Sequence, residues 1–90
     1  MSARRSKLEM YMDILAVVNE GEKIPTRIMH GANLSWKPLQ DMLDSLVDQG
    51  LLEEVEENSD KRTKKMYLIT DKGVGTLLHF NKAMDGVQLR

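Results

Sequence analysis

The chain has 90 residues, with 13 Lys and Arg against 14 Asp and Glu for a formal net charge of −1, and no cysteine. That length supports one domain with one core, the absence of cysteine excludes disulfide staples and thiolate metal sites, no apolar run approaches the ~20 residues of a membrane span, and the opening residues hold no continuous apolar stretch like that of a signal peptide, so a soluble, cytoplasmic protein is expected. The net charge taken alone argues against coating of nucleic acid by bulk electrostatics, yet the charge is unevenly spread: residues 1–30 carry five bases and four acids, 31–57 one and seven, and 58–90 seven and three, so +1, −6 and +4 sum to −1.

Ser6-Lys7-Leu8-Glu9 has the form of a capping box, a serine hydroxyl and a glutamate three residues on that satisfy free amides at a helix start. A first helix is predicted from there, with Leu8, Tyr11, Met12, Leu15 and Val18 on one apolar stripe, Met10, Ile14 and Val17 on another side, and Gly21 as the left-handed stop. Lys23-Ile24-Pro25 reads as a connector or brief edge strand, and Thr26 as the cap of a short second helix to about Ala32, with Ile28 and Met29 inward. After the tight passage Gly31–Leu34, Ser35 is placed to cap a third helix that keeps Pro38 inside its tolerant first turn.

That third helix turns Leu39, Met42, Leu43 and Leu46 inward and Lys37, Asp41, Asp44 and Asp48 outward, and Gln49-Gly50 ends it. Two helices joined by a short turn make a helix-turn-helix. Leu51 to Glu57 reads as a strand, Asn58-Ser59-Asp60 as a turn, and Arg62 to Thr70 as a second strand that pairs back as a hairpin with Tyr67 and Ile69 on one face. Thr70 is placed to cap a fourth helix through about Met84, with Val74, Leu77 and Leu78 inward and Gly86 near its end. The predicted class is α+β, mainly α: three helices, a two-stranded wing and a C-terminal helix in one domain over 1–90, ordered from about 5 to 85.

Three stretches carry a resemblance: Arg5 to Glu20, Ala32-Asn33-Leu34-Ser35 into Leu46-Val47-Asp48-Gln49-Gly50-Leu51-Leu52-Glu53, and Tyr67-Leu68-Ile69-Thr70-Asp71-Lys72-Gly73. In these the chain resembles the small archaeal winged helix DNA-binding proteins and predicted transcriptional regulators. The resemblance implies double-stranded DNA as partner, and the start of the third helix as the part that approaches the major groove, presenting Ser35, Trp36, Lys37 and Gln40. Some relatives dimerise through a long coiled coil that continues the last helix; with the sequence ending at Arg90, a coiled coil of that kind is not predicted.

Gln40 has the chemistry to pair bidentately with adenine, and Lys37 to reach guanine or phosphate; the plainer alternative is a solvated helix face, which Asp41, Asp44 and Asp48 favour by repelling phosphate. Lys61, Arg62, Lys64 and Lys65 put four cations in five positions at the hairpin tip, either as phosphate contacts or as an ordinary charged loop. Four neutralised phosphates would give log affinity a salt slope of about −3.6. Arg27, with Arg4, Arg5 and Lys7, is a further candidate for that footprint. Trp36, the sole tryptophan, reads as a partly buried aromatic or as a contact to sugar or a thymine methyl.

The rows Met10, Ile14, Val17 and Phe80, Met84, Val87 are candidates for a homodimer contact, or else cover each other within one monomer. The acidic stretch 31–57 offers a different partner class, a protein that docks on the outward face of the third helix. Enzyme, metal and cofactor signatures are absent: His30 and His79 lack ligand spacing, Gly73-Val74-Gly75 lacks the pattern of a phosphate loop, and Asp41, Asp44 and Asp48 read as a hydrophilic face.

Overall fold

In chain order the elements are α1 (Lys7–Asn19), α2 (Pro25–Ala32), α3 (Trp36–Asp48), β1 (Leu52–Ser59), β2 (Arg62–Ile69) and α4 (Asp71–Gln88). They come from a computed structural model that describes residues 5–59 and 62–88, the side chains of 59 and 85–88 excepted. Among the described residues no helix is long and apolar enough to cross a membrane.

The capping box starts α1: Glu9 N donates to Ser6 Oγ at 3.0 Å and Ser6 N donates to Glu9 Oε1 at 2.8 Å. Past the end of α1, Gly21 takes a φ of +116°, the region that favours glycine. The start of α2 differs from the predicted one. Ile24 is its N-cap with no side-chain hydrogen bond, Pro25 opens the helix, and Thr26 lies inside it. Proline at the first helical position brings a preset φ and no N–H to satisfy, so a threonine cap is dispensable. Asn33 closes α2 in the left-handed region, φ 56° and ψ 53°. Ser35 is the N-cap residue of α3, though its hydroxyl makes no capping bond.

The strands are antiparallel, from Leu52 opposite Ile69 to Ser59 opposite Arg62. Asn58 and Ser59 therefore extend the strand instead of turning, and Thr63 Oγ1 donates to Asn58 Oδ1 at 3.0 Å across the pair. Side-chain and backbone pairing here outweigh the turn preference of Asn and Ser. Lys23-Ile24-Pro25 is a connector and not a strand, though the Lys23 carbonyl accepts from Tyr67 N at 2.9 Å.

Thr70 caps α4 as expected, its Oγ1 accepting from Gly73 N at 3.0 Å and lying 2.7 Å from the Gly50 carbonyl to which it donates. Lys72 Nζ donates to Gln49 O at 2.8 Å, so the start of α4 is tied to the end of α3. α4 runs through Gly86 to Gln88, past the predicted end near Met84. A helical glycine costs only about 1 kcal/mol relative to alanine and does not by itself stop a helix.

Ile14, Leu15, Ile28, Leu39, Leu43, Leu46 and Leu52 form the fully buried centre, drawn from three helices and the base of the hairpin. Two residues predicted to face inward do not: Leu8 is 54% and Leu78 60% exposed. Each lies at the margin of its apolar stripe, where helical spacing alone does not say how far the neighbouring element extends. Conversely Ile14, predicted as a subunit contact, is 0% exposed within the monomer. Its row faces the chain's own helices: α1 and α2 approach closely enough that a Cβ at Gly31 would stand 2.8 Å from Val17 Cγ1.

Candidate nucleic-acid interface

The hairpin and α3 define a groove of about 520 Å³. Alternation along the strands puts Leu52, Glu54, Glu56, Thr63, Lys65, Tyr67 and Ile69 on one face, in line with the cross-strand pairs. Leu52 and Tyr67 are buried at the base of that face, so it is the one turned to the body. Its outer part, with Glu56, Thr63 and Lys65, meets Trp36 and Gln40 of α3 and the Ile24–Thr26 segment; Lys64 also reaches the lining.

Four predicted contact residues, Trp36, Gln40, Lys64 and Lys65, are thus brought together on one side. Trp36 is 44% exposed, an aromatic partly in contact with the chain and partly open to the groove. Ser35 and Lys37 are exposed beside it at the start of α3 without lining the groove, and Arg62 is exposed toward the end of the hairpin. Lys61 and Arg4 lie outside the described residues.

Other candidates are placed elsewhere. Arg27 lines a separate depression with Glu20, Glu22 and His30, so it does not extend the cationic side of the groove. Lys7 borders an apolar recess with Leu8, Tyr11 and Met12. Arg5 is committed internally: Nη1 donates to Asp13 Oδ2 and to the Ala32 carbonyl, both at 2.7 Å, and Nη2 donates to the Asn33 carbonyl at 2.6 Å. A guanidinium so engaged holds the end of α2 to α1 and is not a free phosphate ligand.

The charges at the groove are less one-sided than the hairpin sequence promised. Lys65 Nζ lies 3.5 Å from Glu54 Oε2. Glu54, with Tyr67 second, holds the Lys65 ammonium above the ordinary lysine range, and Asp44 of α3 adds to the effect. Burial, with Glu54 second, pushes the Tyr67 hydroxyl above the usual phenol range. Glu54 and Thr63 were not singled out in the sequence; the period-2 alternation that pairs β1 with β2 is the signal that places them on this face.

Of the predicted dimer rows, Met10, Val17 and Phe80 are partly buried against the core of the same chain, Met84 is half-buried, and the Val87 side chain lies outside the described residues. Leu8 of α1 and Leu78 of α4 are the more exposed apolar side chains of those helices. His30 and His79 are exposed on different helices, and among the described residues no three metal-ligating side chains cluster.

A family model for the winged helix-turn-helix matches residues 4–86. The chain belongs to the winged helix-turn-helix family. Among its relatives are two uncharacterized proteins of the archaeon Methanocaldococcus jannaschii. MJ0287 is 36% identical over 70 residues, 78% of this chain and 64% of that protein. MJ0290 is 31% identical over 72 residues, 80% of this chain and 30% of that protein. The match therefore spans less than two thirds of the length of either relative.

Among solved structures, this winged helix chain is similar to Sso10a-2, a DNA-binding protein from Sulfolobus solfataricus. The TM-score is 0.72 at 31% identity, covering 92% of this chain and 85% of that one. The structure of smu.1704 from Streptococcus mutans has the same fold, with a TM-score of 0.84 at 22% identity over 99% of this chain and 88% of that one.

Proposed function

We propose that the chain binds double-stranded DNA as a non-catalytic winged helix protein, in transcriptional regulation or DNA architecture. The observation that carries this reading is the groove in which Trp36 and Gln40 of α3 face Lys64 and Lys65 of the hairpin. In this reading the hairpin is the wing: Arg62 and Lys64 contact phosphates, while Trp36, Lys37 and Gln40 at the leading end of α3 approach base edges and sugars. Similarity to a DNA-binding protein of Sulfolobus solfataricus supports it. Asp41, Asp44 and Asp48 are exposed along α3 and would repel phosphate, so in this reading only the leading turn of the helix contacts the duplex.

A homodimer completes the proposal, since so small a core gains from a partner and two-fold symmetry matches duplex DNA. Leu8 and Leu78 replace Ile14 as the apolar residues best exposed for that contact. The test is an electrophoretic shift series with duplex DNA at low salt, run with light scattering. A shifted complex and a two-subunit mass are expected; no complex at any protein concentration would reject DNA binding, and a one-subunit mass would reject the dimer.

The exposed aspartates of α3 favour one other reading, a winged helix that docks a basic protein partner. Recovery of a stoichiometric partner from native extract, lost on replacing Asp41, Asp44 and Asp48 by asparagine, would support that reading.

A further inference from the structure

We infer that Glu54 withholds Lys65 from DNA phosphate, acting as a built-in brake on the wing; the inference rests on the DNA-binding reading. Lys65 stands opposite Glu56 in the strand register, yet its ammonium is 3.5 Å from Glu54, one same-face position nearer the base of the hairpin. The side chain therefore leans toward the body, away from the tip where a wing meets the phosphate backbone.

The anchor of the pair is the acid. The Glu54 side chain is 29% exposed beside buried Tyr67, against 54% for Lys65. Glu54 raises the affinity of Lys65 for its proton more than any other neighbour, and Asp44 contributes from α3. Lys65 thus pairs with Glu54, with Glu56 opposite it in register and Asp44 at longer range. A phosphate that takes Lys65 must separate it from Glu54 and then stand close to acids that have lost their counter-charge. Arg62 and Lys64 alternate with Lys65 along β2, Lys64 still reaching the groove lining, and neither makes an ion pair among the described residues. The described cations of the wing are therefore unequal: two are available and one is held in reserve.

Salt-titrated binding of the full chain to a duplex tests the brake. Glu54→Gln keeps the shape of the side chain and removes its charge. It is expected to tighten binding about two- to five-fold at low salt, the worth of a partly exposed ion pair, and to steepen the slope of log affinity against log salt by about 0.9, one additional phosphate contact. Lys65→Ala should leave the slope unchanged in the wild-type background and abolish the gain in Glu54→Gln. Glu53→Gln removes the same charge from the opposite face of β1 and should gain less.

Equal gains from Glu53→Gln and Glu54→Gln would reduce the effect to net charge and overturn the inference. So would a slope already flattened by Lys65→Ala in the wild-type chain. If the wild-type chain binds and Glu54→Gln changes nothing, the brake alone fails; if neither binds at low salt, the DNA-binding reading fails with it.

Discussion

Gly73 lies directly beneath the main-chain carbonyl of Leu51, so that a Cβ at this position would fall inside the van der Waals surface of the Leu51 oxygen and stand 2.8 Å from Ile69 Cγ1. This close approach lets the first turn of α4 sit against the base of the hairpin, where Thr70 bonds to the Gly50 carbonyl. A Cβ at Gly75, two residues on, would meet no neighbouring segment within 4 Å. Gly73→Ala should therefore destabilise the fold by about 1–3 kcal/mol through overpacking against backbone that cannot move aside. Gly75→Ala should stabilise it by up to about 1 kcal/mol through helix propensity. Urea unfolding of the two variants checks the opposite signs.

Arg5 joins α1 to the turn of the helix-turn-helix through Asp13, Ala32 and Asn33. Its side chain is 33% exposed and that of Asp13 45%, so the charge-assisted bonds are partly screened. Arg5→Ala should cost about 1 kcal/mol in urea unfolding. Because the guanidinium is spent inside the protein, the same change should leave the salt slope of DNA binding unaltered.

Much of this architecture was legible in the sequence because it is encoded locally. The capping box at Ser6 and Glu9, the Thr70 cap and the apolar spacing of α3 are each decided within a few residues. What escaped depends on contacts between distant segments. Arg5 finds its partners 27 and 28 residues away, at Ala32 and Asn33. The exposure of Leu8 and Leu78 and the burial of Ile14 depend on which neighbour covers each side of a helix, which periodicity does not encode.

The site was read in part for the same reason. Clustered wing cations are plain in sequence, and so is the position of Trp36. That Lys65 leans to Glu54 follows from hairpin register, and a strand predicted to end at Glu57 left that register open.

Lys65 and Tyr67 both hold their protons more tightly in the folded chain than in the unfolded one. Each therefore contributes stability that is fully present below its unfolded value, near pH 10, and is lost as pH rises through the raised folded value. Thermal melting between about pH 8 and about pH 11 should show a flat response that falls only at the alkaline end. Since Glu54 raises Tyr67, Glu54→Gln should bring phenolate absorbance in at lower pH, measured in a Tyr11→Phe background so that one tyrosine reports.

Trp36 is the one tryptophan of the chain and is 44% exposed in the groove. Its emission should change when duplex DNA is added. Trp36→Ala should weaken binding several-fold while costing about 1 kcal/mol or less in stability, because the side chain lies at the margin of the core. A variant that unfolds instead would make Trp36 a structural residue.

The central claim is that the wing and the leading end of α3 grip the duplex together. The most direct measurement is the salt dependence of duplex affinity for the wild-type chain and for the Arg62→Ala, Lys64→Ala double variant. Loss of two phosphate contacts predicts a slope shallower by about 1.8 and weaker binding at low salt, with an unchanged melting temperature. An unaltered slope and affinity in the double variant would contradict it.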